Sequence, residues 1–475
     1  MHMNQRPLHP RSLLLTITLA LLTGCAAQRA QFPDASPENV VSVTKAIFPA
    51  VVRLDVAQEI YENGKRTLRR GIGSGVIIDA EGQILTNYHV AGRSAEIFIT
   101  LYNKERVRAR LIGDDHWTDL AIVQLDMAEV ARKKITFSHA DLGDSSTLVE
   151  GQPVMAIGTP FGLTRTTTLG IVSNTNRTFY PQRQQIDEYE TGEFSNWIQM
   201  DTPIASGNSG GPLVDLSGKV VGINTRGFPG QALNFAIPIN TARDVINSIL
   251  ATAKTKADGE IELGQVSRAD LGLDLKPMQD LETFFELDIN QGVLISSVER
   301  RSPAAVAGVK PQDILLAING EPVNVRFPEE IAPLRQRIAQ LPLDKTATLL
   351  VRRGKENVSL TAKPDRLQSA VGDERELKQW GLSVRDVTRA YSNDNQLDDD
   401  MGVVITTLSA GLPAAKAELR SGDIIRAVDS VEVADLKAFL AAYDASIAAK
   451  QDRVLIEIQR GRGKQTLVLR VTYTP

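Results

Sequence analysis

Cysteine is almost missing from this chain: Cys25 is the only one among 475 residues. No disulfide can therefore form within it. An excess of basic charge is also missing. Lysine and arginine total 53 against 57 acidic residues, a formal net charge of -4, so a strongly basic nucleic-acid surface is not indicated and no nucleic-acid partner is expected. Histidine is scarce. The five are His2, His9, His89, His116 and His139, and none follows residue 139. Beyond the N-terminus no apolar run is long enough to span a bilayer. Hydrophobic residues at 42% and charged ones at 23% are ordinary for a soluble globular protein.

What is present begins with a processing signal. Arg6 and Arg11 precede the apolar core "SLLLTITLALL", which is too short for a spanning helix and has the shape of a secretory signal. It ends in "LTGC", which resembles the bacterial lipobox and makes Cys25 the expected lipidation site. Residues 1–24 are then a lipoprotein signal peptide and residues 25–39 a tether. A lipidated Cys25 anchors the chain to a membrane of the cell envelope without spanning it. Ala26 replaces the Asp that commonly retains lipoproteins at the inner membrane, which favours the outer one.

A length of 475 residues suggests about three domains. From Val51 to about Asn240, short apolar or alternating runs are separated by glycine-bearing turns, the pattern of an all-β barrel or sandwich. Helical patterns flank this section, in "NVVSVTKAIFPAVV" and "TARDVINSILATAKT". The rest holds a duplication. "GVLISSVERRSPAAVAGVKPQDILLAINGEPV" from Gly292 matches "GVVITTLSAGLPAAKAELRSGDIIRAVDSVEV" from Gly402, with Pro303 and Asp313 falling where Pro413 and Asp423 fall. This period is that of whole domains, not of a short-repeat solenoid.

"ASGNSGGPL", residues 205–213, sets Ser209 between Gly207 and Gly211. A Gly-x-Ser-x-Gly elbow in an α/β-hydrolase needs a histidine after the serine, and none exists here. A base must come earlier, in the order His–Asp–Ser or Asp–His–Ser. His89 ends an apolar run in "ILTNYHVAG"; His116 and His139 lie in polar turns. Asp119 is the second residue of "TDLAIVQLD", directly before an apolar run, with Asp114, Asp115 and Asp126 as alternatives. The order His89, Asp119, Ser209 is available, and backbone N–H groups of Gly207 and Ser209 could receive an oxyanion.

"TNYHV", "TDLAIV" and "GNSGGPLV" resemble the catalytic blocks of the HtrA/Deg serine proteases, and "SGVIID", "AIGTPFGL", "GIVS", "VVGINT" and "NFAIP" follow in the same order. The resemblance implies a mostly β fold: a trypsin-like double β-barrel over residues 40–258, then PDZ domains over 262–366 and 380–475 with a linker at 367–379. It implies His89 as base, Asp119 as orienting acid, Ser209 as nucleophile, and an oxyanion hole from Gly207, Asn208 and Ser209. Ile204, with Asn224, Thr225, Arg226 and Gly227, would form the substrate pocket. Leu271, Gly272 and Leu273, and in the second copy Trp380 to Leu382, would be loops that hold peptide C-termini. No metal or cofactor is implied. Unfolded envelope polypeptides are the expected substrates, and a trimer or larger homo-oligomer the expected assembly. The alternatives are a chaperone or PDZ scaffold on an inactive barrel, and an esterase.

Overall fold

A computed structural model describes residues 33–160, 165–179, 184–186, 189–228, 231–256, 261–279, 291–369 and 371–473. The signal segment and Cys25 lie outside them. Among the described residues no helix is long and apolar enough to cross a membrane.

The first barrel is built from β1 (Val51–Glu62), β2 (Lys65–Ile77), β3 (Gln83–Thr86), β4 (Ser94–Thr100), β5 (Arg106–Asp115) and β6 (Leu120–Leu125), closed in the order β1-β2-β3-β6-β5-β4. β5 shows why the sequence folds this way. Arg106, Arg108 and Arg110 face solvent while Val107, Ala109 and Leu111 are buried, the period-two alternation of a barrel wall. Asn63 and Gly64 turn β1 into β2, both with positive φ, as a tight hairpin of this hand demands.

The second barrel uses β7 (Pro153–Gly158) and β8 (Thr166–Arg177). An outlying hairpin follows, β9 (Gln184–Ile186) and β10 (Tyr189–Thr191). Then come β11 (Trp197–Met200), β12 (Pro212–Asp215), β13 (Val220–Gly227) and β14 (Asn234–Pro238), closing as β11-β14-β13-β12-β7-β8. A shared core between the barrels joins Val51, Leu85 and Ile122 to Ile157, Val214 and Ile223. The helix Pro37–Ile47 adds Val43 and Ile47, and the helix Ile239–Thr252 adds Val245 and Ile249. Two rigid walls thus meet along one seam, and the candidate site opens on it.

The duplicated domains each pack one long helix on an antiparallel sheet, with helix Ile331–Ala339 in the first and Leu436–Ala448 in the second. The repeated residues have physical jobs. Pro303 and Pro413 start the short helices Pro303–Val306 and Pro413–Lys416, where a missing N–H costs nothing. Asp313 and Asp423, nearly inaccessible, pair with Arg353 at 2.7 Å and Arg460 at 2.6 Å.

One expectation needs correcting here. Residues 367–379 are polar and read as a linker, but Glu374–Leu377 is a strand of the second domain's sheet. Its pairing with Leu382–Asp386 and the burial of Leu377 outweigh the polar composition.

Several contacts tie these domains to the barrels. Arg268 forms a doubly hydrogen-bonded pair with Asp115, at 2.5 and 2.6 Å. Arg335 reaches Glu193 at 2.7 Å. The Asn63–Gly64 hairpin tip meets the second domain, where Ser409 Oγ donates to the Asn63 carbonyl at 2.6 Å and the Gly64 N–H donates to Thr407 Oγ1 at 2.8 Å.

Candidate active site

His89 sits in a single helical turn, Tyr88–Ala91, directly after β3. Its turn is pinned from beneath by buried Gln58, whose Nε2 donates to the carbonyls of His89, Val90 and Gly92 at 3.0, 3.2 and 3.3 Å. Asp119 precedes β6 in the left-handed region, with φ of 58°, a conformation Asp tolerates better than most side chains. His89 Nδ1 lies 3.0 Å from both carboxylate oxygens, and the His89 backbone N–H donates to Oδ1 at 3.1 Å. Thr225 Oγ1 donates to Oδ2 at 2.6 Å, and Asn87 Nδ2 donates to the Asp119 carbonyl at 2.9 Å. With 2% exposure, Asp119 is fixed on every side.

The Ser209 segment crosses from the second barrel to meet the first. The Ser74 N–H donates to the Ser209 carbonyl at 2.9 Å, and Ser74 Oγ donates to the Gly207 carbonyl at 2.6 Å. Gly210, at φ of 83°, packs so tightly that a Cβ would stand 2.2 Å from the Ser74 carbonyl. Gly207, at φ of 101°, shapes the turn before the serine. Among the described residues the amides of Gly207 and Ser209 have no hydrogen-bond partner, whereas the Asn208 N–H donates to the Ala205 carbonyl at 2.9 Å. Two of the three expected oxyanion donors are thus open and one is committed to a turn. Ser209 Oγ donates to the Thr225 carbonyl at 2.9 Å, and His89 Nε2 has no partner among the described residues.

The other titratable groups lie elsewhere. His116 stacks against Trp117 and Tyr189 and contacts the Glu190 carbonyl, and burial holds its pKa below the ordinary value. His139 is exposed. Asp126 caps the helix Met127–Lys133. Burial alone would raise the Asp115 pKa, but the Arg268 charge and hydrogen bonds outweigh it and leave Asp115 low. Asp114 is pushed up to about 7, first by burial and then by the Asp115 charge.

The expected pocket residues divide. Ile204 is half-buried against the second barrel's core, and Arg226 and Gly227 are half-exposed. The Arg226 guanidinium lies 4.8 Å above the Trp197 ring, and burial lowers its pKa. Asn224 differs from its expected place as a wall. Its side chain is fully buried and ties β7 to β12 through the Ile157 and Pro212 carbonyls. Neither Ser74, which opens "SGVIID", nor Gln58 has a role legible in the sequence, because the partners of both lie on distant segments.

In the first repeat domain Leu271 is fully buried, Gly272 has φ of 70°, and Leu273 opens an edge strand, Leu273–Lys276. A cleft of about 340 Å³ runs beside it, reaching Ile338 of the helix, Arg389 and Glu193. The Gly272 N–H donates to Asp270 Oδ1 at 2.9 Å, and Arg389 holds the other oxygen at 3.0 Å. In the second domain the Trp380 indole is wholly buried against Phe439 and Tyr443.

Two closed barrels meeting at this constellation, followed by the duplicated domains, define a trypsin-like peptidase carrying two PDZ domains. Residues 73–223 match the trypsin-like peptidase domain family, and residues 294–353 and 379–471 match PDZ domain families. A probable periplasmic serine endoprotease, DegP-like, from Pseudomonas putida is 34% identical over 387 residues, covering 78% of this chain and 73% of that protein. Its counterpart in Pseudomonas fluorescens is 32% identical over 479 residues, covering 90% and 91%. The solved HtrA-type protease AlgW with a tripeptide is 30% identical with a TM-score of 0.56, covering 69% of this chain and 97% of that one. The chain belongs to the HtrA/DegP family of serine endoproteases.

Proposed function

We propose that this endopeptidase cleaves unfolded or damaged envelope proteins through an acyl-enzyme on Ser209. Ser209 Oγ attacks the scissile carbonyl carbon while His89 Nε2 takes the hydroxyl proton. Asp119, buried and bonded to Nδ1, keeps Nε2 free to accept and steadies the imidazolium. The Gly207 and Ser209 amides receive the oxyanion. The intermediate collapses, His89 returns the proton to the leaving amine, and water then releases the acyl group by the same route. The observation that carries this reading is the chain of contacts through Thr225, whose hydroxyl bonds Asp119 and whose carbonyl bonds Ser209. The serine is thereby held at the same residue as the acid, in a resting rotamer. Breaking that bond frees the hydroxyl for attack.

The first PDZ domain is proposed to hold peptide C-termini along Leu273–Lys276, supported by the place of this strand at the sheet's edge among the described residues and by the adjoining cleft. Export, lipid anchoring through Cys25, an outer-membrane location and a trimeric or larger homo-oligomeric assembly complete the proposal. The periplasmic description of the relatives supports the envelope location.

A fluorophosphonate probe tests the chemistry. Labelling of wild type, His116→Ala and His139→Ala is expected, with none in Ser209→Ala or His89→Ala. Labelling that survives His89→Ala overturns the assignment of the base. Failure to label wild type, even with C-terminal peptides present, favours a chaperone or scaffold.

A further inference from the structure

The two PDZ domains are duplicates, yet among the described residues their sheets differ by one strand. The correspondence of their glycine loops is close. Gly272 and Gly381 have φ of 70° and 73°, and their carbonyls accept the N–H groups of Glu299 and Ser409. The preceding carbonyls, of Leu271 and Trp380, accept those of Ala304 and Ala414. The strand after the loop is Leu273–Lys276 in the first domain and Leu382–Asp386 in the second. In the first, this strand is the sheet's edge and pairs only with Val293–Val298 among the described residues. In the second it is paired on both sides, with Val403–Leu408 and with Glu374–Leu377. The extra strand lies where the first domain leaves its edge open.

A peptide added there by β-augmentation runs antiparallel to the strand, with its terminal carboxylate at the amides of the glycine loop. Glu374–Leu377 has this direction and this position. It runs antiparallel, Glu374 opposite Arg385 and Leu377 opposite Leu382, so its C-terminal end meets the loop. There the Leu377 carbonyl accepts the Gly381 N–H at 2.8 Å and the Trp380 N–H at 3.2 Å, the kind of donors a carboxylate would use. The Leu377 side chain is fully buried in one cluster with Trp380, Leu382 and, from the facing helix, Leu436 and Phe439. At the other end Glu374 is gripped by Arg385 at 3.0 Å and by the Thr406 hydroxyl. The Asn63–Gly64 hairpin covers the loop from outside, and a Cβ on Gly64 would lie 2.8 Å from the Gly381 carbonyl.

We propose that Glu374–Leu377 is a built-in ligand of the second PDZ domain, so that this domain takes no peptide C-terminus while the segment is in place. A ligand joined to its groove by the short turn Lys378–Gly381 acts at an effective concentration on the order of millimolar or above, which a dilute peptide cannot match. Recognition of C-termini then falls to the first domain. The inference rests on reading these domains as peptide-binding modules and is independent of the proteolytic chemistry.

Hydrogen exchange and photo-crosslinking on the full chain carrying Ser209→Ala, which keeps peptides intact, test it. Without peptide, the amides of Leu382–Asp386 should exchange at least about tenfold more slowly than those of Leu273–Lys276. Photo-reactive decapeptides with an apolar C-terminal residue and a free carboxylate should crosslink the first groove and not the helix Leu436–Ala448. Leu377→Asp, which buries a charge, should speed exchange at Leu382–Asp386 and admit crosslinks there. Glu374→Ala, which leaves the core intact, should speed exchange from the Arg385 end. Fast exchange of Leu382–Asp386 in the parent, or crosslinks to Leu436–Ala448 in it, would overturn the proposal. So would unchanged protection of Leu382–Asp386 in both variants.

Discussion

The Ser209 hydroxyl donates to the carbonyl of Thr225, 2.9 Å away, while the Thr225 hydroxyl donates to Asp119 at 2.6 Å. One residue of β13 therefore holds both the proposed nucleophile and the proposed orienting acid. Thr225→Val separates the two jobs, because it keeps the volume and the carbonyl and removes only the hydroxyl. Asp119 is too buried for water to replace the lost bond. A fall of about 10- to 100-fold in kcat/KM for a peptide substrate is expected, about 1.4 to 3 kcal/mol of barrier. Thr225→Ser should recover most of it. An unchanged rate in the valine variant would show that the hydroxyl does not orient the acid.

The legible parts of this molecule are those whose meaning is local. Alternation in "RVRARL" gives a barrel strand, and the matched Pro303/Pro413 and Asp313/Asp423 reveal a duplication without any structure. Glycines around Ser209 signal a constrained turn for the same reason. The rest depends on contacts across the fold. Ser74 reaches Gly207, Gln58 reaches the turn of His89, and Thr225 reaches Asp119 over more than a hundred positions. Nothing in the neighbourhood of each residue announces its partner. Glu374–Leu377 has the composition of a linker, three of its four residues being charged. Only the apposition of Leu382–Asp386 makes it a strand.

Arg268 and Asp115 form a pair with side-chain exposures of 9% and 3%, joining the start of the first PDZ domain to the barrel. The Arg268 guanidinium also lies 4.8 Å above the Phe194 ring, and Thr118 donates its hydroxyl to Asp115. Arg268→Ala leaves a carboxylate buried without its charge partner, which costs about 3–5 kcal/mol. Thermal unfolding should begin several degrees lower, and adding Asp115→Asn should restore part of the loss. A melting temperature equal to wild type would mean the carboxylate finds water when the arginine is removed.

Asp114 gives the stability a pH dependence of known sign. Its pKa is pushed up to about 7, by burial first and the neighbouring Asp115 charge second, while the unfolded chain keeps an ordinary carboxyl near 4. Between those values the folded protein holds more protons than the unfolded one. The favourable contribution is complete below about pH 4 and is lost as pH rises through about 7. Asp114→Asn, neutral throughout, should melt higher than wild type at pH 8, with the advantage shrinking toward pH 4. Melting curves across that window check it, and a gap that does not narrow in acid would contradict the assignment.

Asp270 occupies part of the loop that a peptide carboxylate would need. Its Oδ1 takes the Gly272 N–H at 2.9 Å, and its charge stands beside the place where another negative charge would arrive. Arg389 offsets that charge at 3.0 Å but also bonds Asp365 at 2.8 Å and lies 4.0 Å from Glu299, so it is divided among three carboxylates. Asp270→Ala frees the Gly272 amide and leaves Arg389 with positive charge to offer. Peptides with a free C-terminus should bind about 5- to 10-fold more tightly, about 1 to 1.4 kcal/mol. The same peptides with an amidated C-terminus should gain little, because they bring no charge for Arg389 to meet. Titration calorimetry on the full chain with Ser209→Ala separates the two, and equal gains for both peptide forms would mean that Asp270 blocks the groove by shape instead of by charge.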